Sequence, residues 1–284
     1  MSVAPTYAID AAKKDIIYDL FVVSADENYI TARWCFMNDL RTDFGWLAAH
    51  AMEKYLKAFL LINGNSVQEF SHLNSKIFND SAEVAGTLFP ATLFRPNEVS
   101  PNVIWPNETP IQFVNRLAEI GSPDDRYRMS GDDRRMCDLY MLDQLVFAVR
   151  RCIKPLDSPC SHYPELHNNY DTWREFLEKN PADIGNLGLP MGMALRDASL
   201  PTAFAALNCN FAFAPSNYLH EEIIMLSGWS QSAITRHLGP LNAQDPIGVA
   251  IGIEVSKWLV KNVRLGARKS EIENAVKAAN ADCN

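Results

Sequence analysis

The chain has 284 residues, of which 48% are hydrophobic and 21% are charged, a composition typical of a folded protein and not of a disordered one. Its formal net charge of -8 excludes a protein that coats nucleic acid by bulk positive charge, so any contact with RNA or a nucleotide requires a local basic patch. The six cysteines form no C-x-x-C pair, which predicts free thiols in a reducing compartment.

The N-terminal segment has no basic region followed by an apolar region, so it is not typical of a secretory signal. No uninterrupted apolar run approaches the ~18 residues that a membrane-spanning helix needs. These two features predict a cytoplasmic protein with no membrane association.

Hydrophobic periodicity predicts four helices in the first third of the chain, over 8–22, 26–40, 43–63 and 72–85. The third helix has the clearest amphipathic pattern, and Asn63-Gly64 ends it with residues that accept a left-handed cap. Its apolar stripe consists of Phe44, Leu47, Ala48, Ala51, Tyr55, Ala58, Phe59 and Ile62.

Five prolines between 86 and 110 predict a long loop packed through a few large apolar side chains, namely Leu88, Phe89, Phe94 and Trp105. Helices are predicted again over 110–120 and 132–153. The second of these has an apolar stripe of Met136, Leu139, Leu142, Val146, Val149 and Ile153. Basic residues at its end complement the helix dipole, namely Arg150, Arg151 and Lys154.

The segment 154–165 has the composition of a linker, so we predict a first domain over 1–155 and a second region over 156–284. The second region is rich in glycine and proline, and we expect it to be helical, loop-rich and packed on the first. Its predicted elements are an extended segment at 208–215 and helices over 171–179, 218–227, 247–263 and 269–280.

Several motifs that carry well-defined chemistry are absent from the sequence. There is no phosphate-binding G-x-x-x-x-G-K-[ST] loop, no G-x-G-x-x-G, no H-E-x-x-H and no G-x-S-x-G. His162 and His167 have no acidic or thiolate partner at a metal-ligand spacing, which favours ordinary loop histidines. We therefore predict no metal site and no cofactor.

The polar side of the helix over 43–63 carries His50, Glu53, Lys54 and Lys57 together. One interpretation is an ion pair between Glu53 and Lys57, worth only about 0.3–0.5 kcal/mol on an exposed helix. The alternative is a nucleotide- or RNA-binding site, to which His72 would contribute at the start of the next helix, where anions are attracted. The residue pattern leaves both interpretations open.

A second candidate cluster contains Arg126, Tyr127 and Arg128, followed by Arg134 and Arg135. Four aspartates are interleaved with these residues, which is typical of a solvated surface that pairs its own charges. A binding interpretation is also available, because Tyr127 could stack on a base while the guanidinium groups contact phosphate.

The segment 25–77 resembles the HEPN (higher eukaryotes and prokaryotes nucleotide-binding) domain family. The matching features are Tyr29, Ala32, Trp46-Leu47-Ala48, Ala51-x-Glu53-Lys54-x-x-Lys57-Ala58-x-Leu60, Gly64 and Ser71-His72-x-Asn74. Further along, "DDRYRM" and "LYMLDQLVFAVRRCIKP" are similar to the last helix of that family, so the resemblance covers about 8–155.

The resemblance implies an all-α, up-and-down helical bundle that often dimerises and binds nucleotides or RNA. Many members are ribonucleases, including toxins and defence proteins, in which an arginine is followed after four to six residues by a histidine. No arginine of this chain has that spacing, and Arg41 and His50 come nearest, with eight residues between them.

We therefore expect a HEPN-like homodimer that binds a nucleotide or RNA without catalysis, so no catalytic residues are assigned. One alternative hypothesis is a divergent ribonuclease that uses His50 or His72 with an arginine brought close by folding or dimerisation. Another is a structural or regulatory interaction protein whose basic residues are only surface charge.

Overall fold

The computed structural model describes residues 6–95, 104–122, 135–160, 170–181, 183, 245–266 and 268–282. Of the described residues 71% are helical, and they form no β-strand beyond one isolated bridge between Pro159 and Thr172. The prediction of an all-α fold is therefore confirmed. The segments predicted over 208–215 and 218–227 lie outside the described residues.

The helices lie close to the predicted positions, with a few differences at their ends. Along the described part of the chain they are α1 Thr6–Ile17, α2 Val23–Met37, α3 Arg41–Ile62, α4 Ser75–Ala85, α5 Pro110–Ile120, α6 Asp138–Arg151, α7 Trp173–Lys179, α8 Pro246–Asn262 and α9 Arg268–Asp282. None of them is long and apolar enough to cross a membrane.

The first two helices are continuous, which contradicts the predicted break between 22 and 26. A π-helical turn, Tyr18–Val22, joins α1 to α2, and the Val23 N–H donates to the Tyr18 carbonyl to close it. The sequence around Ser24 contains no glycine or proline. The Ser24 hydroxyl donates to the carbonyls of Leu20 and Phe21, so this polar side chain is satisfied inside the helix instead of ending it.

Helix α3 is the central element and packs against α2, α4, α5 and α6. Its predicted apolar stripe is largely buried, with Phe44, Tyr55 and Phe59 almost fully enclosed. Two glycines allow the end of α5 to approach it closely. A Cβ on Gly45 would lie 2.7 Å from the Ile120 carbonyl oxygen, and one on Gly121 would lie 2.4 Å from the Ala49 Cβ.

Helix α4 begins at Ser75 and not at the predicted position 72. Asn74 caps it, because its side chain accepts a hydrogen bond from the Ile77 N–H at 3.1 Å. His72 therefore lies in the loop before α4, two residues ahead of the cap. Helix α5 has the predicted bounds and starts with a Thr109–Gln112 capping box.

Helix α6 is shorter than the predicted helix over 132–153. Met136 precedes it and is 61% exposed, so this residue does not belong to the buried stripe that Leu139 and Leu142 begin. Phe94, which we expected to pack in the long loop, is also exposed, whereas Leu88 and Phe89 are buried.

The described part of the predicted linker, 154–160, is packed and not extended. Leu156 and Cys160 are buried, and the Leu156 N–H donates to Asn63 Oδ1 at 2.9 Å. The polar composition that suggested a linker belongs to a turn against the end of α3. The chain therefore forms no flexible linker over 154–160. The domain boundary between 155 and 156 remains a prediction.

The last two described helices also contact the N-terminal bundle. Helix α8 packs against both α9 and α1, and the Val67 N–H donates to the Asn262 carbonyl at 2.9 Å. Helix α8 thus packs on the N-terminal helices, while the division of the chain into two regions remains a prediction.

Candidate functional site

Three side chains approach the carboxylate of Glu53: His50 and Lys57 from α3, and His72 from the loop that follows. Together with Glu53 and the neighbouring Lys54 they form the α3 cluster: His50, Glu53, Lys54, Lys57 and His72. Lys57 Nζ lies 2.5 Å from Glu53 Oε1, while the Nδ1 atoms of His50 and His72 lie 3.9 Å and 4.0 Å from Glu53 Oε2. The structure therefore brings His72 to the α3 residues, as the sequence interpretation requires.

The pair of Glu53 and Lys57 is largely removed from solvent. Both residues are only 9% exposed, although the helical periodicity places them on the polar side. Their 2.5 Å contact supports the ion-pair interpretation for Lys57. An anionic ligand would have to break this pair to use the Lys57 charge, so Lys57 is better described as holding Glu53 in place.

Lys54 differs from Lys57 because no carboxylate of the described residues is bonded to its ammonium group. The side chain is half-buried, and among the described residues no carboxylate lies within 4.0 Å of its ammonium group. Burial lowers the pKa of Lys54, while the fields of Glu53 and Glu27 partly oppose that effect. The cluster thus contains a partly desolvated cation that an incoming anion would stabilise.

The two histidines have different surroundings. The His50 ring packs edge-on against Trp46, with ring centroids 4.0 Å apart, and is mostly covered. The His72 side chain is 77% exposed and lies just before the N-terminus of α4. His50 is thus held in a fixed orientation, whereas His72 is accessible to a ligand.

The second predicted cluster, Arg126, Tyr127 and Arg128, lies outside the described residues. Its neighbour Arg135 is described and pairs with acidic groups. Arg135 Nη1 lies 3.6 Å from Glu108 Oε2, and the Arg135 N–H donates to Asp138 Oδ2 at 2.8 Å. For Arg135 the self-paired interpretation of the mixed charges is therefore the better one.

A group of buried charges that the sequence interpretation missed joins α2 to α6. Asp26 is fully buried and accepts hydrogen bonds from the Tyr55 hydroxyl at 2.6 Å and from Arg150 Nε at 3.0 Å. Two helical turns further along α2, Arg33 pairs with Asp143, which also accepts a hydrogen bond from the Tyr29 hydroxyl.

The predicted role of the basic residues at the end of α6 therefore needs correction. Arg150 is buried against Asp26 instead of only complementing the helix dipole. Arg151 is also buried, and its guanidinium donates to the carbonyls of Leu177, Asn180 and Asp183. The sequence contained a signal for these buried charges. Asp26 and Arg33 lie on the same face of α2 as apolar residues at helical spacing.

A fourth buried arginine, Arg116, connects α5 to α6. Arg116 donates from Nε and Nη2 to the two oxygens of Glu108, at 3.0 Å and 2.8 Å, and from Nη2 to Asp138 Oδ1 at 2.8 Å. This bidentate geometry is the strongest form of an arginine–carboxylate pair. All donors and acceptors face each other inside the bundle, so the arrangement is structural.

The described cysteines are not activated as nucleophiles. Cys35, Cys137, Cys152 and Cys160 are buried free thiols, as predicted for these four positions. Burial raises the pKa of Cys137 to about 11 and that of Cys152 to about 12, so neither is a reactive thiolate at neutral pH. Among the described residues no three histidine, cysteine or acidic side chains are grouped to hold a metal ion.

Comparison with known proteins does not assign this arrangement. No protein-family model, no curated protein and no solved structure matches the chain.

Proposed function

We propose that the chain is a HEPN-like cytoplasmic protein that binds a nucleotide or an RNA segment at the α3 cluster, without catalysis and as a homodimer. The observation that carries the proposal is Lys54, a half-buried cation that lacks an ion pair in the described part of the chain. A phosphate oxygen would pair with the Lys54 ammonium group in a partly desolvated environment, where a charge-assisted hydrogen bond is strong.

The neighbouring residues have distinct roles in this proposal. Glu53 and Lys57 hold each other in place, and the Nδ1 atoms of His50 and His72 lie 3.9 Å and 4.0 Å from the Glu53 carboxylate. The exposed His72 is a hydrogen-bond donor next to a helix N-terminus, where anions are favoured. Arg126, Tyr127 and Arg128 remain predicted contacts to a base and its phosphates.

The position of Arg41 supports binding without catalysis. Arg41 pairs with Asp39 at 2.5 Å at the start of α3. His50 follows nine residues later on the same helix, which places the two backbones about 13 Å apart along the helix axis. These two residues do not form the compact arginine–histidine pair that is typical of HEPN ribonucleases.

One observation favours a ribonuclease as the second candidate. His50 and His72 approach the same oxygen of Glu53, with Nδ1 distances of 3.9 Å and 4.0 Å. Two imidazoles near a phosphate are suited to general acid–base catalysis, in which one accepts a proton and the other donates one.

Fluorescence anisotropy with a labelled single-stranded RNA, with ATP as competitor, tests the proposal. We expect the Lys54→Met variant to bind about tenfold more weakly, the loss of one hydrogen bond to a charged group. The control is Lys277→Met, which removes the same charge from an exposed site on α9. Equal affinities for the wild type and Lys54→Met would contradict the proposed site.

The same samples separate the remaining hypotheses. On a gel the RNA should stay intact, whereas cleavage that disappears in a His50→Ala variant would establish the ribonuclease instead. Light scattering should show a dimer. A stable dimer that binds neither RNA nor ATP would favour a structural or regulatory interaction protein.

A further inference from the structure

A second basic site lies on another part of the bundle, next to the π-helical turn. A cleft of about 200 Å³ separates this turn from the C-terminal end of α6. We call it the π cleft, and its polar lining consists of Lys14, Asp15, Tyr18, Arg150, Arg151 and Lys154. The backbone widens at such a turn, and π-helical turns within α-helices are frequent at functional sites.

The charges around the π cleft are not balanced. Arg150 is neutralised by Asp26, with Arg150 Nε 3.0 Å from Asp26 Oδ1. The buried guanidinium of Arg151 donates only to carbonyl oxygens, so within the described chain no carboxylate offsets its charge at ion-pair distance. The exposed Asp15 is the acidic residue in the lining.

Lys154 adds a further cation. Its Nζ lies 4.2 Å above the centre of the Trp173 ring, and none of the described carboxylates is within 4.0 Å of it. Burial lowers the pKa of Lys154, while the field of Asp183 partly opposes this effect. The side chain is thus a partly desolvated cation, held in place by an aromatic face.

Lys14 completes the basic lining from the opposite wall. It lies in the last turn of α1, is exposed, and has no ion pair with the described residues. The C-terminus of α6 contributes only about half a negative charge to this end of the cleft. The cations Lys14, Arg151 and Lys154 outweigh that charge and Asp15 together.

We propose that the π cleft binds the phosphoryl group of a small phosphate monoester. The arrangement offers two ammonium groups and the positive field of a buried guanidinium to one doubly charged anion. The volume is below the 300–1,000 Å³ typical of sites for drug-sized molecules, so the ligand is a phosphoryl group with few further atoms.

This site is separate from the α3 cluster and does not depend on the function proposed there. The π cleft touches α3 at Ile62, which lies eight residues beyond Lys54. Eight residues of α-helix correspond to about 12 Å along the axis. A single phosphoryl group therefore does not reach both sites.

Isothermal titration calorimetry of the full chain with methyl phosphate, at low and constant ionic strength, tests the proposal. We expect one bound equivalent per chain, and an affinity at least about tenfold weaker in the double variant Lys14→Met, Lys154→Met. The matched control is Lys13→Met, Lys261→Met, which removes two positive charges from residues that do not line the cleft. A Lys54→Met variant should keep the wild-type affinity, which separates this site from the α3 cluster.

Three results would overturn the proposal: no heat of binding in the wild type, an unchanged affinity in the double variant, or an equal loss in the control. Circular dichroism verifies that each variant is folded. If the loss of Lys154 disturbs the packing on Trp173, the single variant Lys14→Met decides the question, because Lys14 is exposed. A Lys14→Met affinity equal to that of the wild type would then reject the site.

Discussion

Lys54 is the residue on which the proposed function depends, because its charge is poorly accommodated by the folded chain alone. Burial lowers its pKa from the ordinary value of 10.5. The ammonium form is therefore less favourable in the folded chain than in the unfolded one. Such local frustration is common where a protein binds a ligand of opposite charge.

The lowered pKa of Lys54 leads to a pH-dependent prediction. Between the lowered pKa and 10.5 the unfolded chain binds more protons at this residue than the folded chain does, so stability rises with pH in that window. Below the window the folded wild type carries the full penalty. We expect Lys54→Met to be more stable than the wild type near neutral pH, by about 0.5–2 kcal/mol.

Urea unfolding at several pH values measures this difference. The advantage of Lys54→Met should shrink as the pH approaches 10.5, because the wild-type lysine loses its proton in the folded state. An advantage that is absent at neutral pH, or that grows with pH, would show that the charge of Lys54 is not disfavoured by folding.

At the scale of elements, α2 and α6 carry complementary charges in opposite order. Asp26 and Arg33 are seven residues apart on α2, and Asp143 and Arg150 are seven residues apart on α6. Asp26 pairs with Arg150, and Arg33 pairs with Asp143, so the two helices are joined by two buried ion pairs in antiparallel register. A shift of one helix along the other would leave these buried charges unpaired.

This arrangement predicts strong coupling between Asp26 and Arg150. Removal of either partner leaves a buried charge without compensation, so Asp26→Leu and Arg150→Met should each destabilise the fold by about 3–5 kcal/mol. The double variant should be clearly more stable than the sum of the two single effects implies. A double-mutant cycle by urea unfolding measures the coupling. Additive effects of the two substitutions would contradict the pairing of Asp26 with Arg150.

The helices of the N-terminal half were predictable, because the apolar stripes of α3 and α6 have a clear helical period. The continuity of α1 with α2 was not, since a π-helical turn depends on a local hydrogen-bond shift that no residue type specifies. The pairing of Asp26 with Arg150 joins residues 124 positions apart, which periodicity on one helix does not reveal.

For the candidate site, helical spacing placed His50, Glu53, Lys54 and Lys57 together, and the structure adds His72 to them. Helical spacing alone did not show which of the two lysines, Lys54 or Lys57, forms an ion pair with Glu53. Lys57 lies one turn after Glu53 and reaches it, whereas Lys54 is adjacent to Glu53 in sequence and leaves the helix in another direction.

At the scale of the whole molecule, the charged residues fall into two groups. One group is paired inside the bundle, and the other lies in the two candidate sites. Pairs inside the bundle, such as Asp26 with Arg150, have their partners within the chain. Lys54 in the α3 cluster and Lys154 in the π cleft do not have an ion pair among the described residues. In the two proposals, a phosphate group of a ligand is the partner of each of these lysines.

The most direct test of the central claim compares the unfolding free energies of the wild type and Lys54→Met, with and without a single-stranded RNA. At a hundredfold excess over its dissociation constant, a ligand stabilises the wild type by about 2.7 kcal/mol, and a tenfold weaker affinity lowers that gain by about 1.3 kcal/mol. We predict that RNA moves the stability difference between the two proteins by about this amount in favour of the wild type. RNA that stabilises both proteins equally, or neither, would contradict the claim.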